Sequence, residues 1–245
     1  MKRTLVISRR VFTQLIHDRR FLVVSIVGPL IIIYFLKIFM DTLPPTVPVG
    51  RYIMAFAAFI ILFLSFILCT IVLVQERTSG TMERVFISGY RRIELIGGYI
   101  IGYLGLITVQ AVVVTLTVLR LFELDYDAGT VLLLIMINWQ LAIVSVMLGI
   151  FVSTFTRHER HIFPFIPLII LPAFFLSGML VAVDQMPGWA QLLSWLSPLR
   201  YANDAIQEII LPTGDAGVIL LNMGILLLYG FLLLLIASRT LKDTV

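Results

Sequence analysis

The 245-residue chain is 60% hydrophobic and only 13% charged, about half the charged share of soluble domains. A surface so poor in polar groups excludes a soluble globular protein, and the apolar residues come in runs long enough to cross a bilayer, each crossing taking about 20 residues. The net charge of +4 does not indicate nucleic acid, because the basic residues stand in short clusters between apolar runs, and a single cysteine, Cys69, excludes an internal disulfide and offers no metal framework.

Residues 1–20 carry Lys2, Arg3, Arg9, Arg10, Arg19 and Arg20, interleaved with Leu5, Val6, Phe12, Leu15 and Ile16 at near-helical spacing. With no uninterrupted apolar centre the segment is not a cleavable signal peptide. The pattern predicts an amphipathic helix in the cytoplasmic interface. Spans follow at 21–40, 52–74, 95–119, 131–153, 162–183 and 218–237, the fifth punctured by Pro164, Pro167 and Pro172. The expected fold is all-α and integral to the membrane: six transmembrane helices in a single domain over 1–245. Lys37 and Asp41, four apart near the outer end of the first span, can pair on one helix face, and snorkelling of Lys37 alone explains its place equally well.

With the N-terminus cytoplasmic, the cytoplasmic set holds the six basic residues above together with Arg77, Arg84, Arg91, Arg92, Arg157, Arg160, Arg239 and Lys242. Only Lys37, Arg51, Arg120 and Arg200 fall outside. This positive-inside bias predicts both termini in the cytoplasm. Between the fifth and sixth spans, residues 184–217 mix Trp189, Trp195, Tyr201 and several aliphatic residues with Pro187 and Pro198. The pieces are too short to cross, and predict two short amphipathic helices in the outer interface or re-entering the protein.

The densest charged stretch after the N-terminus lies at 76–93. Ser79 or Thr81 can cap a short helix there with Met82, Val85 and Phe86 on one face. Such a helix at the membrane surface suits docking of a cytosolic partner; the plain alternative is a connecting loop whose charges only set topology. The run Glu76-Arg77-x-x-Gly80-Thr81-x-Glu83-Arg84, with Arg92-x-Glu94-Leu95 and Gly102-Tyr103 after it, closely resembles the ABC transporter type-2 permease family. A second block agrees: Phe175-Leu176-Ser177-Gly178, Met186-Pro187-x-Trp189 and Leu196-Ser197-Pro198-Leu199-x-Tyr201-Ala202. One departure is Ser197, where asparagine is expected; a short polar residue still serves.

The resemblance implies a membrane subunit in which Glu76, Arg77, Gly80, Thr81, Glu83 and Arg84 belong to a coupling helix that contacts a nucleotide-binding subunit. It implies two permease copies, identical or related, above two ATPases, in a prokaryotic plasma membrane. It also implies an outer gate built from Phe175, Gly178, Pro187, Trp189, Pro198 and Tyr201. No GxxxxGK[ST] phosphate loop occurs in the sequence, so ATP and magnesium are expected on the partner ATPase, this chain itself binding no cofactor and catalysing no reaction.

Smaller signals weigh less. Gly98-x-x-x-Gly102 matches a close helix-packing motif, read as packing within the subunit. His158-Glu159-Arg160-His161 spaces its histidines one residue short of a zinc motif and reads as a turn. Among polar span residues, Thr108, Gln110, Thr115, Asn138, Gln140 and Ser177 are candidates for the substrate pathway, with interhelical hydrogen bonding as the competing explanation. Compact loops and apolar spans suit an amphipathic or lipophilic cargo such as a drug, an antibiotic or a lipid-like molecule, with a lipid-linked glycan as the near alternative. An intramembrane enzyme would need a histidine or paired carboxylates inside the spans, and an ion-driven transporter a buried ionisable group near the midplane. The sequence shows neither.

Overall fold

The structure, a computed structural model, describes residues 2–42, 44, 49–156, 162–211 and 213–240. Among these the regular elements are all helical. The order is α1 (Lys2–His17), α2 (Arg19–Met40), α3 (Val49–Thr78), α4 (Thr81–Ile87), α5 (Arg92–Leu121), α6 (Ala128–Ser153), α7 (Leu171–Phe175), α8 (Gly188–Ser194), α9 (Pro198–Ile210) and α10 (Ala216–Thr240). The His158–His161 turn lies outside the described residues.

Five helices, α2, α3, α5, α6 and α10, are long and apolar enough to cross a membrane, so the chain is a multi-pass membrane protein. Their starts are set by local chemistry. Asp18 breaks α1 from α2 and caps the latter, accepting the Phe21 N–H at 3.1 Å. Asp127 caps α6 through the N–H groups of Gly129 and Thr130. The Thr130 hydroxyl and these amides hold its carboxyl below the usual range.

The apolar stretch of α3 is 78% buried, against 22% for α2 and for α10. Thus α3 is the axis of the bundle, and α2 and α10 are its outer staves. The axis packs along α6, which also meets α5, α9 and α10. Arg77 of α3 reaches the C-terminus of α6, and Arg10 of α1 reaches Glu76. At the opposite end Gln207 of α9 meets the backbone of Arg51, and Lys37 lies over the Phe122 ring. The bundle therefore has one end formed by α1, α4, the start of α5 and the close of α6, and another formed by α8, α9 and the start of α3. Lys37 and Asp41 pair at 2.7 Å.

α1 carries apolar residues on more than one face. Ile7, Val11 and Leu15 are buried against α5, whereas Leu5, Val6, Phe12 and Ile16 are exposed. The cause lies on α5: a β-carbon at Gly98 would lie 2.5 Å from Ile7 Cγ2, and one at Gly102 2.8 Å from Val11 Cβ. The small-residue motif opens a groove for branched side chains, and its partner is α1 of the same chain.

The expected fifth span is where the structure differs. In place of one helix over 162–183, residues Ile166–Ile170 form a π-helical turn continued by α7, after which Gly178 (φ 79°) reverses the chain into a 3-10 turn at Val183–Gln185. The helical part, Ile166–Phe175, rises only about 15 Å, half of a hydrocarbon core of about 30 Å. Pro167 and Pro172 lack the N–H groups that a regular α-helix would use, which favours the wider turn. The 184–217 segment does contain the two short helices, α8 and α9.

Filling the groove tests the α1 seat. Gly102→Leu should lower stability by about 1–3 kcal/mol through overpacking, seen as a lower unfolding midpoint in detergent and faster tryptic cleavage at Arg9 and Arg10. Gly224→Leu, where a β-carbon meets nothing within 4 Å, should change neither.

Candidate coupling site and polar seam

The corner between α3 and α5 is short and strongly specified. α3 stops at Thr78, Gly80 adopts φ 69°, and α4 begins at once, its Arg84 N–H bonding the Gly80 carbonyl at 3.2 Å. The Ser79 and Thr81 hydroxyls lie 2.9 Å apart. Val85 packs against the core, and Arg84 is exposed. The side chains of Met82, Glu83 and Phe86 lie outside the described set. Past Gly89, the Arg91 N–H donates to Glu94 Oε2 at 2.8 Å and α5 starts.

Glu76 and Arg77, read from sequence with this segment, point into the protein. Arg77 Nη1 donates to the carbonyls of Ser153 (2.9 Å), Thr154 (3.4 Å) and Thr156 (3.3 Å), placing a cation on the negative end of α6. The Glu76 side chain is only 5% exposed. Its Oε2 accepts Arg10 Nη2 at 2.6 Å and the Tyr99 hydroxyl. Three helices, α1, α3 and α5, thus meet on one carboxylate.

From there a polar seam continues between α3, α5 and α6. Glu76 Oε1, Gln110 Nε2 and Asn138 Oδ1 are buried without a hydrogen-bond partner among the described residues. Gln110 Oε1 accepts the Ser65 hydroxyl at 2.9 Å, Asn138 Nδ2 donates to Thr115 Oγ1 at 3.0 Å, and Gln140 donates to the Met223 carbonyl. These candidates for the pathway are buried and tie helices together. Thr108 differs: it is exposed, and its hydroxyl accepts Trp139 Nε1 at 2.9 Å.

At the opposite end the gate candidates assemble around α7–α9. Pro187 and Pro198 stand at the starts of α8 and α9, the positions at which a missing N–H costs nothing. The Tyr201 hydroxyl donates to the Trp195 carbonyl at 2.8 Å, and the Arg200 guanidinium lies 4.7 Å from the Trp195 ring centre. Ser197 donates to the Ala173 carbonyl (3.1 Å) and Asn203 to that of Ser177 (3.1 Å), binding α9 to the broken segment. The Ser177 hydroxyl bonds back to Phe174 at 2.7 Å. Phe175 and Trp189 are exposed. Burial pushes the Asp204 carboxyl above its usual range, against the pull of Arg200 at 3.8 Å.

The chain thus carries one short helix between α3 and α5 and two short helices, α8 and α9, before α10. The ABC-2 type transporter family matches residues 2–211. The chain belongs to that family. It is 26% identical over 177 residues to ABC transporter G family member 20 of Dictyostelium discoideum, covering 69% of this chain and 24% of that protein. In Escherichia coli K12, the probable multidrug ABC transporter permeases YbhR and YbhS are 24% and 26% identical, over 59% and 64% of this chain and 39% and 42% of theirs. The chain spans less than half the length of these relatives.

In this ABC-2 chain the residues that sequence reasoning missed are the partners of Glu76. Arg10 and Tyr99 are separated from it by 66 and 23 positions, and no local spacing connects them. Ile87, 87% exposed, and Ile93, 70% exposed, also escaped notice, although an isoleucine inside a charged run is a visible signal. Removing Arg10 would strand a buried carboxylate, so Arg10→Met should cost about 3 kcal/mol of stability. The double variant Arg10→Met/Glu76→Met should recover most of that loss, as a double-mutant cycle of unfolding midpoints in detergent would show.

Proposed function

We propose that the chain is the permease subunit of an ATP-driven exporter of amphipathic or lipophilic molecules, moved by a separate ATPase that docks on α4. The carrying observation is the corner itself. A short helix leaves the bundle between α3 and α5, bordered by exposed Ile87 and Ile93, while Glu76 and Arg77 fasten its root to α1, α5 and α6. A push on α4 is then delivered to the axis of the bundle and its neighbours together. Apolar side chains in the open at a basic surface suit a protein partner, and permeases of this family work with ATPase subunits.

In this reading the basic end of the bundle faces the cytoplasm of a prokaryotic cell, with both termini there. The chain crosses six times, the broken segment between α6 and α8 supplying the short crossing. Two copies, identical or related, stand above two ATPases and enclose the path. ATP binding closes the ATPases, α4 transmits the motion, and the spans rock to release cargo outward or into the outer leaflet. Thr108 with Trp139 faces the path, and Gln110, Thr115, Asn138, Gln140 and Ser177 hold its walls in register. The segment from Phe175 and Gly178 through Pro187, Trp189, Pro198 and Tyr201 forms the outer gate. The cargo class is supported by the apolar spans and by the multidrug designation of YbhR and YbhS.

Gly80→Val tests the docking corner, because a β-branched residue at φ 69° is strained. In the reconstituted complex the variant should insert normally while losing at least about tenfold in substrate-stimulated ATPase activity and export, a difference of about 1.4 kcal/mol or more in the coupled barrier. Full stimulated ATPase activity and full export would sink the assignment.

A further inference from the structure

Three sectors run along α1. One, with Ile7, Val11 and Leu15, is seated on α5. Next to it Leu5 and Ile16 are exposed and apolar, with Phe12 half-exposed beside them and its ring edge against Gly105 of α5. The third is an open groove of about 650 Å³ lined by Val6, Arg9, Arg10, Thr13, Gln14 and His17.

Two features of the groove are not explained by the fold. The Arg9 guanidinium has no partner among the described residues, and of the five N–H donors of Arg10 only those on Nη2 are engaged, by Glu76. The groove's position is also defined. Glu76 stands two residues before the end of the spanning helix α3, so the guanidinium that meets it lies where a span leaves the hydrocarbon, at the level of lipid headgroups. An apolar strip beside a basic one at that depth matches an anionic amphiphile: acyl carbon against Leu5, Phe12 and Ile16, and phosphate against the arginines.

We propose that this groove binds the phosphate of an anionic phospholipid, held by Arg9 and by the free donors of Arg10. Arg10 then joins two anions, the lipid phosphate on its open side and Glu76 on its buried side. Lipid composition thereby acts on the same carboxylate at which α1, α3 and α5 meet. The site does not depend on the cargo or on the direction of transport.

The full chain, purified in neutral detergent and depleted of lipid, would be titrated with dioleoyl phosphatidylglycerol or dioleoyl phosphatidylcholine and examined by native mass spectrometry. Phosphatidylglycerol should be retained preferentially, and Arg9→Gln should weaken its retention about fivefold, the effect of one basic residue near an anionic surface. Arg120→Gln, a charge-matched change on α5 at the far end of the bundle, should leave retention unchanged, and the unfolding midpoint of each variant confirms that it is folded. Equal retention of the two lipids overturns the proposal, as does equal weakening by Arg9→Gln and Arg120→Gln. Displacement of the lipid by millimolar inorganic phosphate would assign the groove to a soluble anion. Loss of ATPase co-purification in Arg9→Gln with lipid retention intact would assign it to the protein partner. Either result also overturns the proposal.

Discussion

A carboxylate cannot be withdrawn from water without compensation, and Glu76 is withdrawn two residues before the end of the central helix. Its compensation comes from two directions: a guanidinium on a helix that does not cross, and a phenol on a helix that does. Arg77, the next residue, faces the other way and covers the carbonyls at the close of α6. Two consecutive charged side chains therefore hold four helices at one level. That level is also the root of α4, so the charge arrangement that stabilises the bundle determines what α4 is attached to.

Much of this architecture was legible in advance, because a bilayer imposes lengths. Apolar runs at 21–40, 52–74, 95–119, 131–153 and 218–237 fall within α2, α3, α5, α6 and α10, which extend a turn or so further into polar sequence. Hydropathy detects the hydrocarbon, whereas a helix continues until a cap or a glycine stops it. The short helices α8 and α9 were readable from Pro187 and Pro198. The prolines at 164, 167 and 172 warned of trouble in the fifth run, yet hydropathy still counted it as a full crossing. A window average takes no account of missing N–H donors, and these shorten the helix to Ile166–Phe175.

The site was less legible, for two physical reasons. A charged residue in a charged run reads as solvated, and nothing beside Glu76 announces partners on α1 and α5. The packing face of α1 was hidden because hydrophobicity alone ranks Leu5 and Phe12 with Ile7 and Val11. The choice between them is made by shape, in the hollow left by Gly98 and Gly102. The family motifs located the corner through Gly80 and the residues around it. They did not reveal that its two leading charges serve the bundle's interior.

The seating of α1 has a consequence for how this chain can change. Ile7 and Val11 stand over Gly98 and Gly102 with the same four-residue step, so the two helices mesh like a rack against a pinion. A whole turn of sliding finds another tooth. A single residue inserted or deleted between Ile7 and Val11 turns the upstream part of α1 by about 100° relative to the rest, and unseats Ile7 from Gly98 while leaving Val11 on Gly102. The N-terminal helix is thus indexed rather than merely attached, and the indexing extends into its first turn, where Thr4 stands against Gly97 and Arg3 donates to the Gly89 carbonyl.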